Sequence, residues 1–151
     1  MNYTFDMTQK TRAIFFNLLE NHSLEQLNIK PEEFNNTIYW NIKHVVVTQQ
    51  LLTYGLSNLP MLLSETEIEA FRKGSKYEKD ATREDVEVLK KQLFSTIEQT
   101  QIDYKKDLFK TFIEYTVSTK SVLSTINEAL EFNNFHEGIH LGYILAMKKN
   151  L

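Results

Sequence analysis

Only four glycines and two prolines interrupt these 151 residues, and between them apolar side chains recur in alternating steps of three and four. That period lays them along one stripe of an α-helix. A chain with so few breakers spends most of its length in long helices. The first covers about Phe5 to Glu20, with Ile14, Phe15, Leu18 and Leu19 on its apolar face. The second begins after the N-cap candidates Asn35 and Asn36, carries Trp40, His44, Val47, Leu51 and Tyr54 as its buried stripe, and ends near Gly55. The third opens at Thr82, which forms a capping box with Asp85, and turns Val86, Leu89, Leu93, Ile97 and Tyr104 inward. The fourth starts between Ser121 and Thr125 and runs almost to the C-terminus. Its stripe is Ile126, Ala129, Asn133, His136, His140, Tyr143 and Met147.

The link between the second and third helices spans about 27 residues, far beyond the 2–8 usual between antiparallel bundle neighbours. Within it, Ser64-Glu65-Thr66-Glu67 reads as a capping box opening a short helix that stops near Gly74. A crossover of that length lets the second and third helices run parallel. The expected fold is therefore an all-α four-helix bundle in up-down-down-up order. The β-branched and aromatic run Thr111 to Ser118 could be extended or a short strand pair. The length, with 42% hydrophobic residues, suits a single domain over 1–151.

Two histidines in the fourth helix, in Phe135-His136-Glu137-Gly138-Ile139-His140, lie one turn apart on one face. Both rings can approach one cation from the same side at the ~2.0–2.1 Å of a zinc–nitrogen bond. Read literally, His136-Glu137-x-x-His140 is the zinc-protease pattern. Those enzymes draw a third ligand from downstream, and Leu141 to Leu151 contains no His, Asp, Glu or Cys. The third ligand must come from earlier in the chain. His22 lies in the polar segment Glu20-Asn21-His22-Ser23 and reads as surface, whereas His44 falls on the buried stripe of the second helix. A lone His there would be an ordinary core imidazole. Three on converging stripes would leave ring N–H groups unpaired at roughly 1–3 kcal/mol each, a problem that one shared cation removes.

The segments Trp40-Asn41-Ile42-Lys43-His44 and Phe135-His136-Glu137-Gly138-Ile139-His140-Leu141-Gly142-Tyr143-Ile144 resemble the Trp-x-x-x-His and His-Glu-x-x-His-x-Gly-Gln-Ile segments of the DinB-like superfamily. The resemblance extends over essentially the whole chain and includes Phe71-Arg72-Lys73-Gly74-Ser75. It implies a four-helix metalloprotein, related to bacillithiol and mycothiol S-transferases, with His44, His136 and His140 on a divalent metal. Tyr143 stands where many relatives carry Gln. The family's topology is the same up-down-down-up order.

Nitrogen ligands suit zinc, nickel, iron or copper, and zinc or nickel is expected first, with iron as the alternative. Three imidazoles leave a position open for water or substrate, as in catalytic sites. Three functions follow as expectations: a transferase that activates a low-molecular-weight thiol such as bacillithiol against an electrophilic small molecule, a metal-dependent hydrolase, or a noncatalytic metal- or ligand-binding bundle. Glu137 is either a base beside the metal or, as the favoured reading, a residue turned about 100° away toward solvent or a lysine. Asn133 is a candidate for a hydrogen bond supporting a ligand, against a polar residue at the wet mouth of the bundle. Trp40 and Tyr143 are expected to line the pocket.

A net charge of −3 with scattered basic residues argues against nucleic acid. The absence of cysteine removes disulfides and protein thiolates. No apolar run approaches bilayer-spanning length, and Met1-Asn2-Tyr3-Thr4-Phe5-Asp6 lacks a signal-peptide pattern. A cytoplasmic protein, forming a homodimer through a helical face, is the expectation.

Overall fold

A computed structural model describes residues 1–151. Its helices are α1 (Asn2–Asn21), α2 (Leu24–Asn28), α3 (Ile38–Gln50), α4 (Glu65–Phe71), α5 (Arg83–Lys105) and α6 (Ile126–Met147). A π-helical turn, Leu51–Gly55, extends α3, and a two-stranded antiparallel ribbon, β1 (Tyr115–Thr116) with β2 (Val122–Leu123), precedes α6. No helix is long and apolar enough to cross a membrane.

Side-chain pairings fix the directions of the long helices. Phe5 packs on Tyr104, Phe16 on Phe94, and Glu20 pairs with Lys90, so α1 and α5 are antiparallel. Thr8 meets Asn134 and Arg12 meets Glu137, so α1 and α6 are parallel. Lys43 reaches Gln92 and Gln49 reaches Thr100, making α3 and α5 parallel. Asn41 touches Met147 while Leu52 clusters with Ala129, making α3 and α6 antiparallel. The result is the up-down-down-up bundle, with α4 carried in the crossover.

Helix starts follow local chemistry. The Thr82–Asp85, Ser64–Glu67 and Thr125–Glu128 capping boxes all form, each satisfying backbone donors that the first turn cannot. α3 is capped by Thr37, whose hydroxyl accepts from the Trp40 N–H at 3.0 Å, and not by Asn35 or Asn36. The short helix α2, opened by a Ser23–Gln26 box, was not foreseen. Beyond α4, Gly74 takes φ 89°, a backbone angle glycine adopts without the Cβ penalty of other residues.

The core lies between α3 and the facing sides of α1, α5 and α6, and includes Phe15, Ile42, Leu89, Leu93, Ile144 and Met147. Every residue from Ile38 to Val47 is buried, so α3 has no solvent face. Its one cation in that stretch, Lys43, donates from Nζ to Glu67 Oε1 at 2.6 Å and to Gln92 Oε1 at 2.5 Å. Burial pushes the Glu67 carboxyl up, but hydrogen bonds from Lys43, Gln92 and the Ser64 backbone outweigh it and hold the pKa at about 2. This contact pins α4 across α3 and α5. On α1, Ile14 proves exposed, and Arg12 occupies an inward position instead.

Candidate metal centre

α3 contributes His44 and α6 contributes His136 and His140, and the antiparallel packing of these two helices brings the rings together. Ring centroids are 5.2 Å apart for His44 and His136, 4.8 Å for His44 and His140, and 4.5 Å for His136 and His140. One nitrogen from each lies within 4.8 Å of the other two. Around a tetrahedral zinc such nitrogens stand about 3.4 Å apart, so small ring rotations complete the geometry. His22 is elsewhere, at the end of α1, its Nδ1 2.8 Å from the Leu18 carbonyl.

Second partners orient two of the rings. His44 Nδ1–H donates to the Phe71 carbonyl at 2.6 Å, which directs Nε2 inward, where the Thr48 hydroxyl now donates to it at 3.2 Å. His140 Nδ1–H donates to Asn41 Oδ1 at 2.9 Å. Asn41 is held in that sense because its Nδ2 donates to the Thr37 carbonyl at 2.8 Å. Such outer contacts fix the tautomer of a ligating imidazole. Trp40 stacks on His44 with ring centroids 4.8 Å apart and an interplanar angle of 10°. It supports the ligand from behind and does not line the cavity.

His136 Nδ1 is buried with no hydrogen-bond partner, and so is Asn133 Oδ1 three residues earlier. An N–H and an acceptor at that spacing are complementary, and pairing them would leave Nε2 of His136 for a cation. Unsatisfied buried groups of this kind are rare in folded proteins. The donor set therefore fits a divalent metal.

The three rings are held neutral. Burial lowers the pKa of His44, only partly offset by the Phe71 carbonyl. Burial and the neighbouring His140, His44 and Arg12 charges bring His136 down to about 3. Burial and His44 bring His140 down to about 4. Neutral imidazoles at pH 7 are ready to ligate. Because the unfolded chain protonates these groups near 6.5, metal-free protein has its full stability above that pH and loses it as pH falls toward 3–4. His136 and His140, the two rings brought lowest, each add a slope approaching about 1.4 kcal/mol per pH unit. Urea denaturation of metal-free protein at pH 7.5, 6, 5 and 4 should show a falling midpoint, while a flat profile would contradict the burial of the rings.

Glu137 requires a correction. It neither faces solvent nor pairs with a lysine: its side chain is completely buried and chelated by Arg12. Arg12 Nε donates to Glu137 Oε1 and Oε2 at 3.0 and 3.1 Å, and Nη2 donates to Oε1 at 2.8 Å. Asn133 Nδ2 donates to the same Oε1 at 2.8 Å, and Arg12 Nη1 to the Leu93 carbonyl at 3.3 Å. The Glu137 carboxylate is turned toward Arg12 and is not among the side chains that line the cavity, so it is not placed to take a proton there. The true inward stripe of α6 runs through Ala129, Asn133, Glu137, Ile144 and Met147, with the two histidines on its flank. No sequence signal marked Arg12, because a single cation on α1 looks like any surface residue until α6 is packed against it.

A cavity of about 550 Å³ opens beside the histidines, within the range of small-molecule sites. His44, His136 and His140 share its lining with Leu51, Leu52, Leu56, Val117, Phe132 and Ile139, and with Arg72 and Lys73. Tyr143, expected in the pocket, is 40% exposed and packs against Phe34 instead. The π-turn after α3 widens the backbone where Leu51, Leu52 and Gly55 border the cavity, a feature often found at functional sites. Asn41→Leu is expected to free His140 and weaken metal binding about 10–100-fold, measurable by competition with a chromophoric chelator.

No curated protein matches this sequence. The three histidines, all of α3 and α6 as far as Ile144 fall within a stretch, residues 7–144, that matches the model of the DinB superfamily, and the chain belongs to that family.

Proposed function

We propose that this protein is a metal-dependent thiol S-transferase that joins an acidic low-molecular-weight thiol, such as bacillithiol, to an electrophilic small molecule. The observation that supports this most is the composition of the cavity. Three neutral imidazoles meet one side of it, and the only charged side chains on its lining are Arg72 and Lys73. A divalent cation held by His44, His136 and His140, zinc or nickel before iron, would act as a Lewis acid and lower the pKa of a thiol placed beside it.

Arg72 and Lys73 would anchor the carboxylates of the thiol. Arg72 pairs with Glu69 at 2.7 Å, but both side chains are about half exposed, and such pairs are weak enough to be exchanged for a ligand. Thr48 can direct its hydroxyl into the cavity once His44 Nε2 is engaged. In the reaction the thiol S–H bond breaks and its proton passes to solvent. A C–S bond forms at the electrophilic carbon as the leaving group departs with its electron pair. Hydrolysis is less well supported, because Glu137, the carboxylate nearest in sequence to the ligands, is sequestered by Arg12.

The test begins with protein purified without chelator or nickel resin, analysed for metal and assayed with a panel of thiols and electrophiles. Metal-loaded protein should accelerate conjugation, with an apparent thiol pKa below the ~8.5 of a free thiol. His136→Ala should abolish the acceleration. Arg72→Glu with Lys73→Glu should raise the thiol KM about tenfold or more with little change in kcat, since the anchors act on binding. Turnover of activated esters without thiol would establish the hydrolase instead, and inertness across the panel would leave a metal-binding bundle.

A further inference from the structure

One apolar wall of the cavity has its own construction. Leu52, Val117, Leu123 and Ala129 form a buried cluster separate from the main core, and Leu56 and Phe132 pack against it. Three parts of the chain meet there: the π-turn supplies Leu52, the ribbon segment supplies Val117 and Leu123, and the start of α6 supplies Ala129 and Phe132. Two hydrogen bonds hold the pieces in register. The Ile113 N–H donates to the Leu56 carbonyl at 2.6 Å, and the Thr111 hydroxyl donates to the Ser57 carbonyl at 3.0 Å. No Asp, Glu, Asn or Gln side chain reaches the cavity lining, whose neutral hydrogen-bonding side chains are the hydroxyls of Thr48, Tyr115 and Ser118.

A sugar or other polyol needs hydrogen-bonding partners along its whole body, and the Leu52, Leu56, Val117, Phe132 and Ile139 surface leaves those groups desolvated and unpaired. An alkyl or aromatic body gains from the same surface. We propose that this wall is the subsite for the electrophile, and that the electrophile is a neutral molecule with an aromatic or medium-chain alkyl body. Its apolar part lies against Leu56, Phe132 and Ile139, and its reactive carbon points toward the histidines. The inference rests on the transfer reading for the word electrophile. The wall itself needs neither metal nor thiol to bind its ligand, which makes the two separable.

The probe is a series of neutral 1-phenylalkanones of increasing alkyl length, titrated calorimetrically into metal-free protein. Affinity should rise about fourfold per added CH₂ and level off once the cavity is filled. Ile139→Asp and Leu56→Asn should each weaken the longest ketone at least tenfold, and Ile139 is half exposed, so its variant should keep the fold. Phe135→Glu, on the outward face of α6, should leave the affinity unchanged. Affinity independent of chain length would overturn the proposal. So would equal binding of polyhydroxylated analogues, or a loss in Phe135→Glu without a loss in the two cavity variants. Chain-length-dependent binding without any thiol transfer would reject the transferase reading and retain the apolar subsite. Transfer without chain-length dependence would do the reverse.

Discussion

Glu137→Ala is expected to destabilise metal-free protein by about 3–5 kcal/mol, the usual result of leaving a buried charge without its partner. Arg12 and Glu137 both have no exposed side-chain surface, so neither can recover hydration when the other is removed. In a chain of this size the loss corresponds to a fall in Tm of about 10–15 °C. Arg12→Met combined with Glu137→Leu removes both charges and should lie near the original stability, or above it by up to about 4 kcal/mol. The double variant also separates two roles for Glu137. As a purely structural partner, its replacement leaves metal binding near normal, because His136 and His140 remain on a folded α6. Intact metal binding with lost turnover in that variant would instead place Glu137 in the reaction. A loss below about 1 kcal/mol in Glu137→Ala would show that the pair is not buried as described.

His44→Ala should lower metal affinity by more than about a hundredfold, since loss of a ligand exceeds the 10–100-fold that loss of an orienting partner costs. α3 should persist in this variant, because its buried positions from Ile38 to Val47 pack independently of the ring. Trp40 supplies a direct readout. It is the single tryptophan and stacks on His44, so metal binding in the unaltered protein should change its fluorescence. The His44→Ala titration should be flat over the same concentrations while the circular dichroism stays helical. Loss of the helical signal would mean that metal holds the fold together, and an unchanged affinity would remove His44 from the site.

Periodicity and capping chemistry made the four long helices legible, because their apolar spacing, the Thr82 and Ser64 boxes and the scarcity of glycine and proline all act within a few residues of one another. The length of the crossover gave the chain order for the same local reason. The three histidines were legible as a group because each lies on or beside the inward face of its helix. The failures share one cause. Ile14 turned outward, Tyr143 turned to Phe34 and Glu137 went inside to Arg12 because each choice depends on what a second helix presents at that level of the bundle.

The sequence by itself determined that this chain forms long helices with three histidines on or beside their inward faces, since side-chain period and cap hydrogen bonds are properties of neighbouring residues. Only the tertiary structure decided what those residues meet. It put Phe71 against His44, Asn41 against His140 and Arg12 against Glu137. It also closed an apolar wall of the cavity from the π-turn, the ribbon and α6. These are contacts between segments far apart in the chain, and their partners are set by packing and by the need to pair every buried polar group, which no local pattern records.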